Sequence, residues 1–238
     1  MTDEVKVDRF RRNLLKATGI AGTAVLAMGL AARPAAAKGG HRSGGCFLKG
    51  TRIRTAEGYR AIETLSAGEP LATRFGGFTA IKAVESFFVT TRGSDHAWLD
   101  HLRPVWVRRG ALADNVPSAD LCLTAAHALC VNGYLIPVGQ LVNGTTIVFD
   151  DSEHAEPLWF YHIELDHHDL LDANGVPCES LRAAEEKPCA PLLSFNGARS
   201  EIVSRLRSAT STLIDRRQPL DVVRDSLEER ALERARAA

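Results

Sequence analysis

Gly44-Gly45-Cys46-Phe47-Leu48-Lys49-Gly50-Thr51 opens the folded part of the sequence, and its reading decides the rest. Glycine places no side chain in the way of attack on its own carbonyl. Cys46 supplies a thiol directly across the next peptide bond, which is where an attacking group would have to stand. Phe47 and Leu48 equally suit the first residues of a β-strand, in which Cys46 would be an inert core cysteine. The sequence beyond these eight residues decides between the two.

The segment before this stretch reads as an export signal and a spacer. Residues 1–16 are polar and basic and end in Phe10-Arg11-Arg12-Asn13-Leu14-Leu15-Lys16. An Ala- and Gly-rich run follows from Ala17 to Ala32, then Arg33, Pro34 and the small residues Ala35-Ala36-Ala37. This is the three-part pattern of a cleaved signal peptide. It resembles a twin-arginine (Tat) signal at Arg11 and Arg12, with Leu14 where Phe is usual and Phe10 where Ser or Thr is usual. The run is too short and too rich in small residues to hold a bilayer well, so no stable membrane anchor is expected after cleavage. The expected partners are the Tat export machinery and signal peptidase, and the expected location is the periplasm or the medium. Residues 38–45, Lys38-Gly39-Gly40-His41-Arg42-Ser43-Gly44-Gly45, read as a flexible leader. A lipoprotein reading of Gly45-Cys46 fails, because no apolar run ends at the cysteine.

Composition adds exclusions. The 238 residues leave room for one substantial domain with tails. Lys+Arg and Asp+Glu both number 29, so no excess charge points to a nucleic-acid partner. From Cys46 to about Leu181 the pattern is that of short strands. Candidates are Thr51–Thr55, Ala61–Leu65, Ile81–Thr91, Pro104–Arg108, Leu121–Thr124, Ala128–Val131, Tyr134–Ile136, Thr145–Phe149, Leu158–Leu165 and Leu170–Leu171. Turn signals such as Glu57-Gly58, Asn132-Gly133, Asn143-Gly144 and Asn174-Gly175 recur about every ten residues, which predicts an all-β domain. After Pro188 and Pro191 the pattern turns helical. Ile202, Leu206, Ala209 and Leu213 share one face, and Pro219 opens a second run with Leu220, Val223 and Leu227. These read as two helices packing on the β domain or fraying from it, with a partner-binding tail, its partner unknown, as the sharper alternative.

Three segments complete the pattern: Cys46-Phe47-Leu48-Lys49-Gly50-Thr51, Leu123-Thr124-Ala125-Ala126-His127-Ala128-Leu129, and Tyr161-His162-Ile163-Glu164-Leu165-Asp166. Their order resembles the Hint (hedgehog/intein) family. Leu170-Leu171-Asp172-Ala173-Asn174-Gly175-Val176-Pro177 is similar to that family's last strand pair, and Leu135-Ile136-Pro137 with Leu141-Val142-Asn143-Gly144 to a bacterial subgroup. The resemblance covers roughly residues 46–181 and implies a Hint β-fold. The boundaries expected are signal peptide 1–37, leader 38–45, Hint domain 46–181, and linker with helical tail 182–238.

The resemblance implies autoprocessing by an N-to-S acyl shift at Gly45–Cys46. Cys46 is the thiol. His127 is expected to donate to the departing nitrogen, since histidine ordinarily titrates near working pH. Thr124, three residues earlier, is expected to aim its hydroxyl at the same peptide. His162 stands where relatives carry an Asp or Cys that helps the shift or later breakdown. Losing His127 or Thr124 is expected to slow the cut about a hundredfold.

The family's inteins end in a His-Asn pair, and here the corresponding segment reads Cys178-Glu179-Ser180. Full splicing is therefore not expected, and no sterol-recognition region is present to imply sterol transfer. A mobile Gly44-Gly45 junction would keep the cut slow until export is complete.

Other readings stand beside this one. A catalytically silent, exported binding or structural module with the Hint fold fits the short leader. A cysteine hydrolase using Cys46 and His127 lacks an Asn or Asp to orient the histidine. His154, His162, His167 and His168 with Asp166 and Asp169 show no metal-binding spacing, so neither metal nor cofactor is expected. Cys122, Cys130, Cys178 and Cys189 leave open two disulfides in an oxidising compartment.

Overall fold

Two Asn-Gly pairs set the local geometry of the chain. Asn132-Gly133 and Asn174-Gly175 have positive φ at both residues, 51° and 83° in the first and 51° and 86° in the second. That is the tight turn whose twist matches flanking antiparallel strands. It joins β9 (Ala128–Val131) to β10 (Tyr134–Pro137) and β13 (Leu170–Ala173) to β14 (Val176–Glu179). Asn143-Gly144 turns by another device, with the Asn143 carboxamide oxygen accepting the N–H groups of Thr145, Thr146 and Ile147.

The computed structural model describes residues 45–90, 102–182, 186–193 and 218–237. The remaining strands are β1 (Phe47–Leu48), β2 (Arg52–Thr55), β3 (Gly58–Ala61), β4 (Pro70–Thr73), β5 (Gly77–Ala80) and β6 (Ala83–Val89). They continue with β7 (Pro104–Val107), β8 (Leu121–Thr124), β11 (Ile147–Phe149) and β12 (Leu158–Glu164). One sheet runs β11-β7-β8-β1-β12-β6, and the other runs β10-β9-β14-β13-β2-β4-β5 with β3 paired to β2. All named pairings are antiparallel. The fold is all-β, as the strand pattern predicts.

Alternation places one face of each sheet in a shared core. Phe47, Ile53, Leu71, Leu121, Leu123, Leu129 and Phe160 are fully buried. A side chain of this size contributes about 1.5–3 kcal/mol on burial, so the short strands are held chiefly by packing.

The structure departs from the sequence pattern at two places. Ala61–Leu65 is not a strand: Ile62–Thr64 forms a 3-10 turn, with Ile62 and Leu65 buried three residues apart. β3, β4 and β5 have no counterpart in that pattern, because they lie at or beside the second sheet's edge and bury little, Phe78 staying exposed. No disulfide joins any of the five cysteines.

The second tail helix is α1 (Pro219–Ala237). Leu220, Val223 and Leu227 join the main core, as their spacing predicts, and Ala231 is buried one turn further on. The first expected helix, carrying Ile202, Leu206, Ala209 and Leu213, falls outside the described residues, as do Arg11, Arg12 and the leader up to Gly44.

Candidate active site

β1 is two residues long and paired on both sides. Phe47 stands opposite Tyr161 of β12 and opposite Leu123 of β8. Continuing both antiparallel registers back by one residue places Cys46 between His162 and Thr124. That register builds the site.

The Cys46 N–H, the Gly45 and Cys46 carbonyls and the thiol each then have a partner. The Cys46 N–H donates to Thr124 Oγ1 at 2.9 Å. The Gly45 carbonyl oxygen lies 2.8 Å from His162 Nδ1, and Cys46 Sγ lies 3.2 Å from His162 Nε2. A carbonyl oxygen only accepts, so Nδ1 carries hydrogen. In the neutral ring Nε2 is then left as the acceptor for the thiol. The Thr124 N–H closes the frame by donating to the Cys46 carbonyl at 3.1 Å.

His162 is not at a sheet edge. It sits on β12 between β1 and β6, opposite Glu85, with the Phe87 ring 5.8 Å away between centroids. Gly45 and Cys46 are buried, and a Cβ on Gly45 would land on Cα, Cβ and Cγ of His127. Glycine is required there by close approach.

His127 closes the other flank. The Thr124–His127 turn, in which the His127 N–H donates to the Thr124 carbonyl at 2.9 Å, carries its ring over Gly45. The ring meets Phe47 edge-on at 4.3 Å between centroids. Both ring nitrogens are buried without a hydrogen-bond partner. Burial, aided by the His162 charge, pushes the His127 pKa down to about 4, overriding the Glu179 charge and nearby backbone carbonyls of Cys46 and Glu179, which favour the charged ring. The premise that His127 titrates near working pH therefore fails, because desolvation disfavours its cation. Burial likewise pushes the Cys46 thiol up to about 12, only partly offset by Thr124. The resting sulfur is a thiol, not a thiolate.

Glu179 is the neighbour that sequence reasoning missed. It is buried on β14, and its Oε1 accepts the Ala128 N–H at 2.9 Å. Its other oxygen is 3.5 Å from Nε2 of buried His168. Only the pairing of Cys178 with Leu129 brings it beside the His127 turn, and no local motif announces that.

The other polar residues singled out in the sequence lie elsewhere. His154 contacts Asp150 at 3.0 Å, and Trp106 donates to the same oxygen at 2.8 Å. His167 is exposed in a bend and His168 is buried just after it, neither of them in a strand. Among the described residues no three His, Cys, Asp or Glu side chains come together as metal ligands.

The family model described as a Hint domain matches residues 45–185, more than half of the chain. The chain belongs to the Hint domain family. Solved structures similar to it include the MchDnaB-1 intein, 16% identical with a TM-score of 0.37, covering 56% of this chain and 98% of that one. A bacterial intein-like domain from Clostridium thermocellum is 16% identical with a TM-score of 0.39, covering 58% and 98% respectively. The gp41-1 intein is 12% identical with a TM-score of 0.38, covering 57% and 98%. No curated protein matches the chain. The Hint fold suggests a general capacity for autoprocessing, and in this Hint domain Cys46, Thr124, His127 and His162 surround one peptide bond.

Proposed function

We propose that this Hint protein carries out an N-to-S acyl shift at Gly45–Cys46 and is cut there without splicing. The observation that carries the reading is that the carbonyl oxygen, nitrogen and attacking sulfur of one peptide bond each meet a named side chain. His162 Nε2 takes the Sγ proton as sulfur bonds to the Gly45 carbonyl carbon. The carbonyl electrons move onto oxygen, where Nδ1–H donates, more strongly now that the ring is charged.

The C–N bond then breaks, its electron pair stays on nitrogen, and the nitrogen takes the proton that His162 holds. Gly45 ends as a thioester on Cys46 Sγ, Cys46 has a free amine, and His162 is neutral again. Thr124 orients the nitrogen through its N–H, and the uncharged His127 ring clamps Gly45. Water or an added nucleophile resolves the thioester. Cys178-Glu179-Ser180 supplies no Asn to release the C-terminal flank.

The same proposal takes residues 1–37 as a Tat-type signal removed by signal peptidase, 38–45 as leader, 46–181 as the Hint domain, and 182–238 as linker and tail. Prompt cutting in the cytoplasm would sever the signal from its passenger. Burial that raises the Cys46 thiol pKa keeps the sulfur protonated at rest, so the shift waits on transfer of its proton to His162. Slow thiol chemistry is thus the device that lets export come first.

The test is to incubate the purified full-length chain with dithiothreitol or hydroxylamine and to weigh the products. A new N-terminus at Cys46, formed faster with either reagent and absent in Cys46→Ala, supports the proposal. A cut that survives Cys46→Ala, or a chain that stays whole in hydroxylamine, overturns it.

A further inference from the structure

Helix α1 lies outside the residues matched by the Hint family, yet it is tied to the catalytic turn by a short run of hydrogen bonds. Arg224 donates from Nε to the Gln140 carbonyl at 2.6 Å. Gln140 belongs to the 3-10 turn Val138–Leu141. In that turn the Val138 N–H donates to the His127 carbonyl at 2.8 Å, and the Gly139 N–H to the Ala125 carbonyl at 2.9 Å. The approach is close, since a Cβ on Gly139 would stand 3.0 Å from the Ala125 Cβ. Thus α1 fixes one turn, and that turn fixes Thr124–His127 against Gly45–Cys46.

The other end of the helix is anchored separately. Arg230 Nε donates to the Gly110 carbonyl at 2.8 Å, and its Nη2 to Asp114 at 2.7 Å. Neither contact touches the Val138–Leu141 turn. The two arginines therefore allow helix docking and site positioning to be separated.

We propose that Arg224 is a positioning residue for the acyl shift, acting through the Val138–Leu141 turn to hold Thr124 and His127 against the scissile peptide. The inference rests on the acyl-shift reading of the site. A guanidinium–carbonyl bond is a charged one, and such bonds are worth enough for their loss to move an opening equilibrium about tenfold or more. A turn that opens misplaces both the Thr124 hydroxyl and the His127 ring, and small misplacements are costly in rate.

The experiment compares Arg224→Ala, Arg224→Lys and Arg230→Ala in the full-length chain. Cleavage at Gly45–Cys46 is timed in one set. In a second set, carrying Cys46→Ala to keep the bond whole, amide exchange of Val138 and Gly139 and the NMR titration of the His127 ring are followed. Glu179 and His162 are the ionisable groups that bear on that ring, and both are kept.

Arg224→Ala is expected to slow cleavage about tenfold or more and to speed exchange of both amides. It is also expected to raise the His127 midpoint from about 4 as water enters. Arg224→Lys should restore part of each, and Arg230→Ala should leave all three near wild type. Unchanged exchange and titration in Arg224→Ala overturn the proposal, and so does an equal effect from Arg230→Ala. Failure of wild type to cleave sinks the acyl-shift reading instead, and exchange and titration still decide what Arg224 holds.

Discussion

The two flanks of the Gly45–Cys46 bond carry one histidine each and treat it in opposite ways. His162 lies half-buried on β12 with a partner for each ring nitrogen, one the Gly45 carbonyl and the other the thiol. His127 is fully buried on a turn, both nitrogens lack partners, and desolvation holds the ring neutral down to about pH 4. The difference teaches what makes a histidine a proton carrier. Burial, with the His162 charge beside it, silences the His127 ring, whereas a donor site and an acceptor site aimed at the same bond fit His162 for both jobs in the proposed acyl transfer. Under the proposed acyl shift, proton traffic belongs to the β12 flank and shape to the turn flank.

Substitution at His162 is the strongest way to break this comparison. His162→Gln retains an amide that can donate to the Gly45 carbonyl but no ring nitrogen to take the thiol proton. The cut should slow by about 10²–10⁴, the range for a lost general base. His127→Gln keeps the base and loses only fit, at about a hundredfold. The measurement is the rate of Cys46 N-terminus formation by mass spectrometry for both variants. A larger loss at His127 than at His162 would reverse the assignment of roles.

The sequence shows much of this site and hides its electrostatics. Cys46, the Thr124–His127 turn and His162 stand out because each lies in a short motif whose order is read along the chain. The Asn132-Gly133 and Asn174-Gly175 turns stand out because positive φ at two successive residues restricts the residue types. β4 and β5 do not, since only Leu71 of that hairpin reaches the core and Phe78 remains exposed. Ile62-Glu63-Thr64 misleads because β-branched residues fit a strand as readily as a tight turn whose burial has a spacing of three. The neutrality of His127 is wholly tertiary. It follows from Phe47, Gly45 and β14 closing over the ring, and nothing within ten residues of His127 records that.

The pH dependence of stability sharpens the comparison at the next level of magnitude. A histidine whose folded pKa is depressed binds fewer protons folded than unfolded, so its contribution is present above the unfolded value near 6.5 and is lost as pH falls toward 4. The drop from 6.5 to about 4 corresponds to about 3 kcal/mol. Urea unfolding of the Cys46→Ala chain at pH 7 and pH 4, with and without His127→Gln, isolates this contribution because the carboxylates are common to both. On acidification the chain that retains His127 should lose about 3 kcal/mol more than the chain carrying His127→Gln. Equal losses in the two chains would mean that the ring is charged or hydrated in the folded state.

The smallest effect tests shape on the turn flank directly. A methyl group at Gly45 points into His127 and meets nothing that could yield cheaply, since it touches the backbone Cα as well as the ring carbon. Gly45→Ala must push the scissile peptide off the Thr124–His127 turn, at a cost of about 1–3 kcal/mol for overpacking a closed site. Thr124 and His162 hold the two ends of that peptide, so the displacement also spoils the line of sulfur attack and slows the cut. Thermal unfolding and cleavage rate are measured on the same variant. Loss of rate with loss of stability is the expected pair, and it places the clamp at His127. An alanine at this position that leaves both unchanged would show that the turn gives way, and that His162 alone sets the geometry of the bond.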